Sequence, residues 1–409
     1  SGVQRPLKFV KYLADYGWKP IVLAPQPGTY HTFDESLLDD LKGREYDIHR
    51  IKANTPFHIG SGKARELDIP DFIARYLRVV SQFFWLPDNK TGWIKPAIKK
   101  GGEIIANQKI DLIYSTAPPY SNHLIAAELK QRHQIPTVMD MRDEWLESPL
   151  TSYPTRFHKR KMAKIERETL SASDLITVIN EPIQKSISGR LNHDKPVKII
   201  RHGFDPDNFN TVRDKFDAHK PGKLKFLYSG IFYGERTPET FIKAAAKAIE
   251  QHPELKKDLE LQFQGGLEQV YLDLISQLQL DNIVVNYGYI PHEKAVQNLL
   301  KADILWFIIG HTQFSDSITT GKLFEYFGAS KPILGLVPKG AGRVLLKKYK
   351  SSYIAEPHDI ASVTQKIIEI WKDWKNARFI QPDISFVEKY NRKKITGHLA
   401  DTFDKLLKK

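Results

Sequence analysis

The strongest constraint on this chain is a repeated alternation of short apolar runs with amphipathic helical stretches. PIVLAP (20–25), DLIYSTAPP (111–119), PTVMDMRD (136–143), DLITVIN (174–180) and VKIIRHGFD (197–205) form one series. LKFLYSG (224–230), ELQFQGG (260–266), NIVVNYGYI (282–290), DILWFII (303–309), KPILGLV (331–337) and SYIAE (352–356) form a second. Apolar runs bounded by turn residues read as buried strands, and the helices between them are the crossovers that parallel strands require. Two such series predict an α/β chain of two doubly wound, Rossmann-like domains facing across a cleft. The polar, turn-rich stretch 205–223 marks the boundary. The expected division is 1–204, 205–385 and a basic helical tail, 386–409, that packs back on the first domain. A chain of 409 residues with 41% hydrophobic residues has material for two cores.

The net charge of +13 favours an anionic partner, whether a phosphorylated ligand, an acidic membrane surface or nucleic acid. Solubility alone explains the same charge. The absence of cysteine excludes disulfides and thiolate metal sites and is compatible with a reducing cytoplasm. No run of 18 apolar residues occurs, so no membrane-spanning helix is expected, and no signal peptide is visible. The opening on Ser1-Gly2 followed at once by a helical pattern predicts a preceding strand.

Ligands of open parallel sheets bind beyond the carboxyl ends of the strands. Residues of interest cluster there: Ser115 to Pro119, Asp140 to Asp143, Gly230 to Arg236, Gly265 and Gly266, and Gly288 with Tyr289. Each glycine alone is ordinary turn chemistry; their concentration at strand ends points to a ligand cleft. Thr319, Thr320, Gly321 and Lys322 directly precede a helix. A helix N-terminus offers free N–H groups and the positive end of the dipole, and hydroxyls plus an ammonium suit a diphosphate. The spacing is not that of a P-loop. Glu325, one turn further in, can accept hydrogen bonds from sugar hydroxyls, or else is a surface glutamate behind a helix cap.

The second half resembles the donor-binding domain of glycosyltransferase family 4, of the GT-B fold, in FLYSGIFYGERTPETFIKAA, LQFQGG, NIVVNYGYIP, KADILWFII and TTGKLFEYFGASKPILGL. The first half is similar to the acceptor domain in SGVQRPLKFVKYLADYGWKPIVLAP, DLIYSTAPPYSNHLIAAELK and IPTVMDMRDEW. The likeness runs in the expected order and is weakest over 44–100 and in the tail. It implies transfer of a sugar, with retention, from a nucleoside-diphosphate sugar to a saccharide or lipid-linked acceptor in surface polysaccharide or glycan biosynthesis, without a metal or other cofactor.

The resemblance also implies roles. Gly230 lies against the donor phosphates, and Arg236, with Lys322, neutralises the leaving diphosphate. Many relatives carry an arginine directly after this glycine; here Ile231 stands there. Thr319, Thr320 and Gly321 hold the donor as well. Glu325 matches the second glutamate of a Glu–seven residues–Glu pattern and binds the ribose, whereas the first position is Ser317. Gly288 and Tyr289 flank the nucleobase, and Gly2 matches a glycine loop near the diphosphate. In DMRDEW, Arg142 replaces the histidine of a His-Asp pair. Arginine stays protonated and is no general base, so Arg142 is expected to hold a phosphate or orient a carboxylate. Asp140 and Asp143 are expected to bind acceptor hydroxyls. A purely structural Arg–Asp pair at a strand end is the competing reading. His202 is expected near the cleft.

Two alternatives fit the same sequence. A non-hydrolysing nucleotide-sugar epimerase has the same fold but needs no acceptor, so an assay separates them. A non-catalytic nucleic-acid-binding protein needs a continuous basic stripe with stacking aromatics, and the basic residues here are scattered. The stretch 70–86 places Phe72, Tyr76, Phe83 and Phe84 on one helical face, followed by Trp85, Lys90, Trp93, Lys95, Lys99 and Lys100. That pattern suits a peripheral membrane contact from the cytoplasmic side or, equally, a core-packing helix.

Overall fold

The computed structural model describes residues 3–26, 40–52, 85–147, 153–213, 222–312 and 315–408. The chain forms two compact units. The first holds Ser1–Arg201 together with Thr396–Lys409, and the second His202–Ile395.

In the first unit, β1 (Ile21–Pro25) pairs in parallel with β2 (Asp47–Ile51). A second parallel sheet holds β3 (Ile113–Ala117), β4 (Thr137–Met141), β5 (Leu175–Val178) and β6 (Val197–Ile199) in that order. β4 and β5 are buried along their whole length, as expected of strands covered on both faces. Met139, Met141, Ile176 and Val178 pack in one cluster with Tyr120, Trp145 and Met162. The helix Glu181–Arg190 starts cleanly because Asn180 accepts from the backbone N–H of Ile183 and Pro182 takes an early helical position that needs no donor. The helix Arg392–Leu407 ends in this unit, where Phe403 packs edge-on against Trp18 and Tyr114 and Asp404 accepts from the Trp18 indole at 3.1 Å.

The second unit is one parallel sheet of β7 (Leu224–Ser229), β8 (Leu259–Gln264), β9 (Val284–Asn286), β10 (Ile304–Ile308), β11 (Ile333–Leu336) and β12 (Ser352–Ala355). The order is β12-β11-β10-β7-β8-β9. The chain starts in the middle at β7, winds outward through β9, then crosses back to β10. β7 and β10 therefore flank the switch point, beyond whose strand ends ligands of such sheets bind. Successive residues feed opposite faces: Phe226, Tyr228, Ile304 and Trp306 join one core cluster, while Leu227, Leu305 and Phe307 join the other.

Strand β2 has no counterpart among the apolar runs, because DIHRI carries three polar residues and is only half-buried. The aromatic stretch 70–84 with Phe72, Tyr76, Phe83 and Phe84 lies outside the described residues. Trp93 is a correction: it is 6% exposed and packs with Ala97, Ile125 and Leu129, so it belongs to the core and not to a membrane-facing surface. Among the described residues no helix is long and apolar enough to cross a membrane.

Candidate functional site

At the end of β7 the backbone turns at Gly230, with φ +121°. Its N–H donates to Gln264 at 2.7 Å, and Gly265, φ +122°, donates in turn to Gly288 at 2.8 Å. Glycine is required twice over. The positive φ strains any other residue, and a Cβ on Gly265 would come within 2.3 Å of the Gly230 carbonyl oxygen. Three adjacent strand ends thus run past one another as bare backbone.

Lys322 crosses this floor. A Cβ on Gly230 would meet its Cε at 2.4 Å and its Nζ at 2.5 Å. The amine donates to the Tyr228 hydroxyl at 2.6 Å and sits 4.1 Å from the centre of that ring. Tyr228 is clamped by Phe232 stacked at 3.9 Å and by Trp306 at 4.8 Å. Burial, and then the nearby Arg236, bring the Lys322 amine down to about 7, against the pull of Glu325. Burial pushes the Tyr228 phenol up, so the hydroxyl stays protonated and donates to the Ile231 carbonyl at 3.3 Å.

The helix carrying Lys322, Gly321–Ala329, begins with Thr320 as its N-cap residue. The Thr320 side chain makes no cap bond, and its buried Oγ1 has no protein partner. Thr319 is half-buried and Gly321 exposed. Tyr326 docks the helix onto the sheet: its hydroxyl accepts from the Ser229 N–H at 3.1 Å and donates to the Trp306 carbonyl at 3.0 Å. Glu325 lies half-buried one turn from Lys322. Beyond Gly230, Tyr233 and Arg236 exchange backbone hydrogen bonds of 3.2 and 3.1 Å around Gly234. The Arg236 guanidinium donates to the Tyr233 hydroxyl and lies 4.8 Å over its ring. Tyr289 is 61% exposed after β9. His202 sets its ring 5.9 Å from Phe324. The second unit therefore gathers Gly230, Gly288, Tyr289, Arg236, Thr319, Thr320, Gly321, Lys322 and Glu325 at strand ends and one helix start.

The first-unit residues read differently. Asp140 is fully buried. One carboxylate oxygen accepts from Arg5 Nη2 and from Thr177, both at 2.8 Å; the other accepts from Arg5 Nε at 3.0 Å and Thr116 at 2.9 Å. Burial alone would raise this carboxyl, but the Arg5 charge and these hydrogen bonds hold it well below the usual range. Four donors fill its lone pairs, so the expectation that Asp140 binds an acceptor is corrected: it ties the helix Gln4–Leu13 to the sheet. Arg142 donates to the carbonyls of Ala117, at 3.1 Å, and Pro118. That engagement braces the loop after β3. Asp143 is exposed. Gly2 lies outside the described residues. His123, also buried, shares a 2.8 Å hydrogen bond with Ser115 and is pushed down by burial to about 3, so its ring is neutral. Among the described residues no group of three or more His, Asp or Glu is placed to hold a metal ion.

Sequence reasoning missed Tyr228, Tyr326, Arg5 and Gln264, whose amide donates to Ser229 at 2.9 Å and accepts from Asn298 at 3.1 Å. Their only signal was a polar atom inside an apolar run or helix.

Residues 7–208 match the family described as Glycosyltransferase Family 4. No curated protein matches the chain. Among solved structures it is similar to HepE from Anabaena in complex with UDP and glucose, with 14% identity, 99% of this chain and 96% of that one covered, and a TM-score of 0.58. It is similar to sucrose-phosphate synthase from Thermosynechococcus elongatus, with 14% identity, 95% and 99% covered, and a TM-score of 0.56. The N-terminal domain of trehalose-6-phosphate phosphatase from Candida albicans gives 16% identity, 99% and 93% covered, and a TM-score of 0.62. The chain is a glycosyltransferase of the GT-B fold, and its residues 7–208 match Glycosyltransferase Family 4.

Proposed function

We propose that the protein transfers a sugar from a nucleoside-diphosphate sugar held by the second unit to a saccharide or lipid-linked acceptor held by the first. The observation that carries this reading is the Lys322 amine lying across Gly230 at a helix start, with the Arg236 charge close enough to depress it. Two cations, an exposed Gly321 N-terminus and a side-chain-free backbone floor compose a receptor for a diphosphate. Uridine is the first base to test, since HepE was solved with UDP. In this reading Arg236 and Lys322 stabilise the leaving diphosphate, Thr319, Thr320 and Gly321 hydrogen-bond it, Glu325 binds the ribose, and Gly288 and Tyr289 border the base. Asp143, exposed after β4, binds an acceptor hydroxyl in this reading. Transfer proceeds with retention and without a metal, so chelation with EDTA leaves turnover unchanged.

The same reading places the protein in the cytoplasm at the membrane face, acting in surface polysaccharide or glycan assembly. Lys95 and Lys99 are exposed. The helix Arg156–Ser171 also exposes Arg156, Lys159, Arg160, Lys161, Lys164 and Arg167, with Phe157 68% exposed among them. Basic residues around an exposed aromatic suit anionic headgroups. A thermal-shift screen of nucleotide sugars tests the donor assignment: one nucleoside diphosphate and its sugars should raise the melting temperature by mass action. No shift with any of them at millimolar concentration would contradict it.

A further inference from the structure

We propose that Tyr228 is a positioning residue that parks the Lys322 amine across Gly230, and that arrival of a nucleoside diphosphate draws the amine off the tyrosine and protonates it. The inference rests on the donor site above and adds a proton to the binding equilibrium.

The geometry carries it. Three groups act on the parked amine. Tyr228 on β7 supplies a hydroxyl at 2.6 Å and a ring face at 4.1 Å. Arg236, in the turn after β7 with Tyr233, supplies a repelling charge. Glu325 on the same helix supplies the attracting one. The tyrosine hydroxyl spends its own proton on the Ile231 carbonyl, so it can serve the amine only as an acceptor. It offers one lone pair and no charge, which suits an amine poised between its two protonation states. Burial and Arg236 set that balance near neutrality, at about 7. A diphosphate reverses both influences. It brings negative charge to the amine and neutralises the field of Arg236, so the bound state favours the ammonium.

The signs follow directly. Below pH 7 the amine is already charged and binding takes up little. Above pH 7 the free amine is largely neutral, and each binding event takes up nearly one proton. Affinity then weakens by up to about tenfold per pH unit, because the competent form becomes scarcer by that factor.

Isothermal titration of the whole protein with UDP, in buffers of different ionisation enthalpy, reads the protons directly. UDP itself is almost fully deprotonated at pH 7 and above, its last phosphate proton leaving near pH 6. The expected result is close to one proton taken up per UDP at pH 8.0 and about half a proton at pH 7.0. Lys322→Arg, which cannot deprotonate, should bind UDP with no uptake at pH 8.0. Tyr228→Phe removes the acceptor but keeps the ring, so the free amine should lose its proton more readily and the uptake at pH 7.0 should rise toward one. A tyrosine that served only the core would change the melting temperature and leave the uptake alone. UDP binding at pH 8.0 with no net uptake, or equal uptake at pH 7.0 in the parent and Tyr228→Phe, would overturn the inference and leave the donor site standing. No UDP binding in any buffer would instead bring down the uridine donor reading and this inference with it.

Discussion

Lys322 donates to Tyr228 at 2.6 Å over the Cα of Gly230, so two residues 94 positions apart are joined across a third that can carry no side chain. This relationship sets the shape of the diphosphate floor. It also means that a side chain on Gly230 would displace Lys322, whereas one on Gly265 would meet the Gly230 backbone itself.

Gly230→Ala should damage both fold and site. Its φ of +121° strains an L-residue, and the new methyl would collide with the lysine chain. Strain of this kind costs about 1–3 kcal/mol. The flexible Lys322 end can swing aside, but only by leaving the position argued to meet the diphosphate. Melting temperature and UDP affinity should fall together, and a variant that keeps both would show that the floor is not used.

Asp140→Asn should destabilise without a direct effect on donor binding. It leaves Arg5 buried opposite a neutral amide, and breaking a buried ion pair costs about 3–5 kcal/mol. The pH dependence has a definite sign. The folded carboxyl lies below its unfolded value of about 3.9, so its stabilisation is fully present above that pH. It fades as pH falls toward the folded value. Chemical denaturation at pH 7 should show a large gap between parent and variant, and the gap should narrow as the pH is taken below about 4.

Glu325→Gln should raise the donor KM and leave kcat nearly unchanged, because ribose binding is common to ground and transition states. Equal affinity of parent and variant for UDP would make the glutamate structural.

Sedimentation with vesicles tests the membrane proposal. The parent should pellet with anionic phosphatidylglycerol vesicles at low salt and return to the supernatant as salt rises, because each basic residue contributes about 1 kcal/mol within a Debye length. Replacing Lys159, Arg160 and Lys161 by glutamate should abolish pelleting while the fold stays intact. A parent that stays in the supernatant at low salt would favour a soluble acceptor.

The parallel sheets were legible because buried strands are apolar on both faces, and β4, β5, β7 and β10 all announce themselves in this way. The helix start at Gly321 was legible too, since Thr-Thr-Gly precedes an apolar helical pattern. Strand β2 was hidden by its half-exposed, polar sequence. Tyr228 and Tyr326 were hidden for the opposite reason: inside apolar runs an aromatic residue reads as core, and only the fold shows where its hydroxyl points. Asp140 and Arg142 looked like site residues because they end a strand. Their partners, Arg5 at 135 positions away and the carbonyls of the loop after β3, are matters of tertiary packing that no local spacing encodes.

The most direct test of the diphosphate site is calorimetric titration of UDP into the parent, Lys322→Ala and Arg236→Ala at pH 7, with turnover measured once a donor sugar is found. The parent should bind saturably, and each variant should lose on the order of 2–4 kcal/mol of binding or transition-state stabilisation, as for removal of a charge-stabilising group. Variants that bind UDP and turn over as the parent does would contradict it.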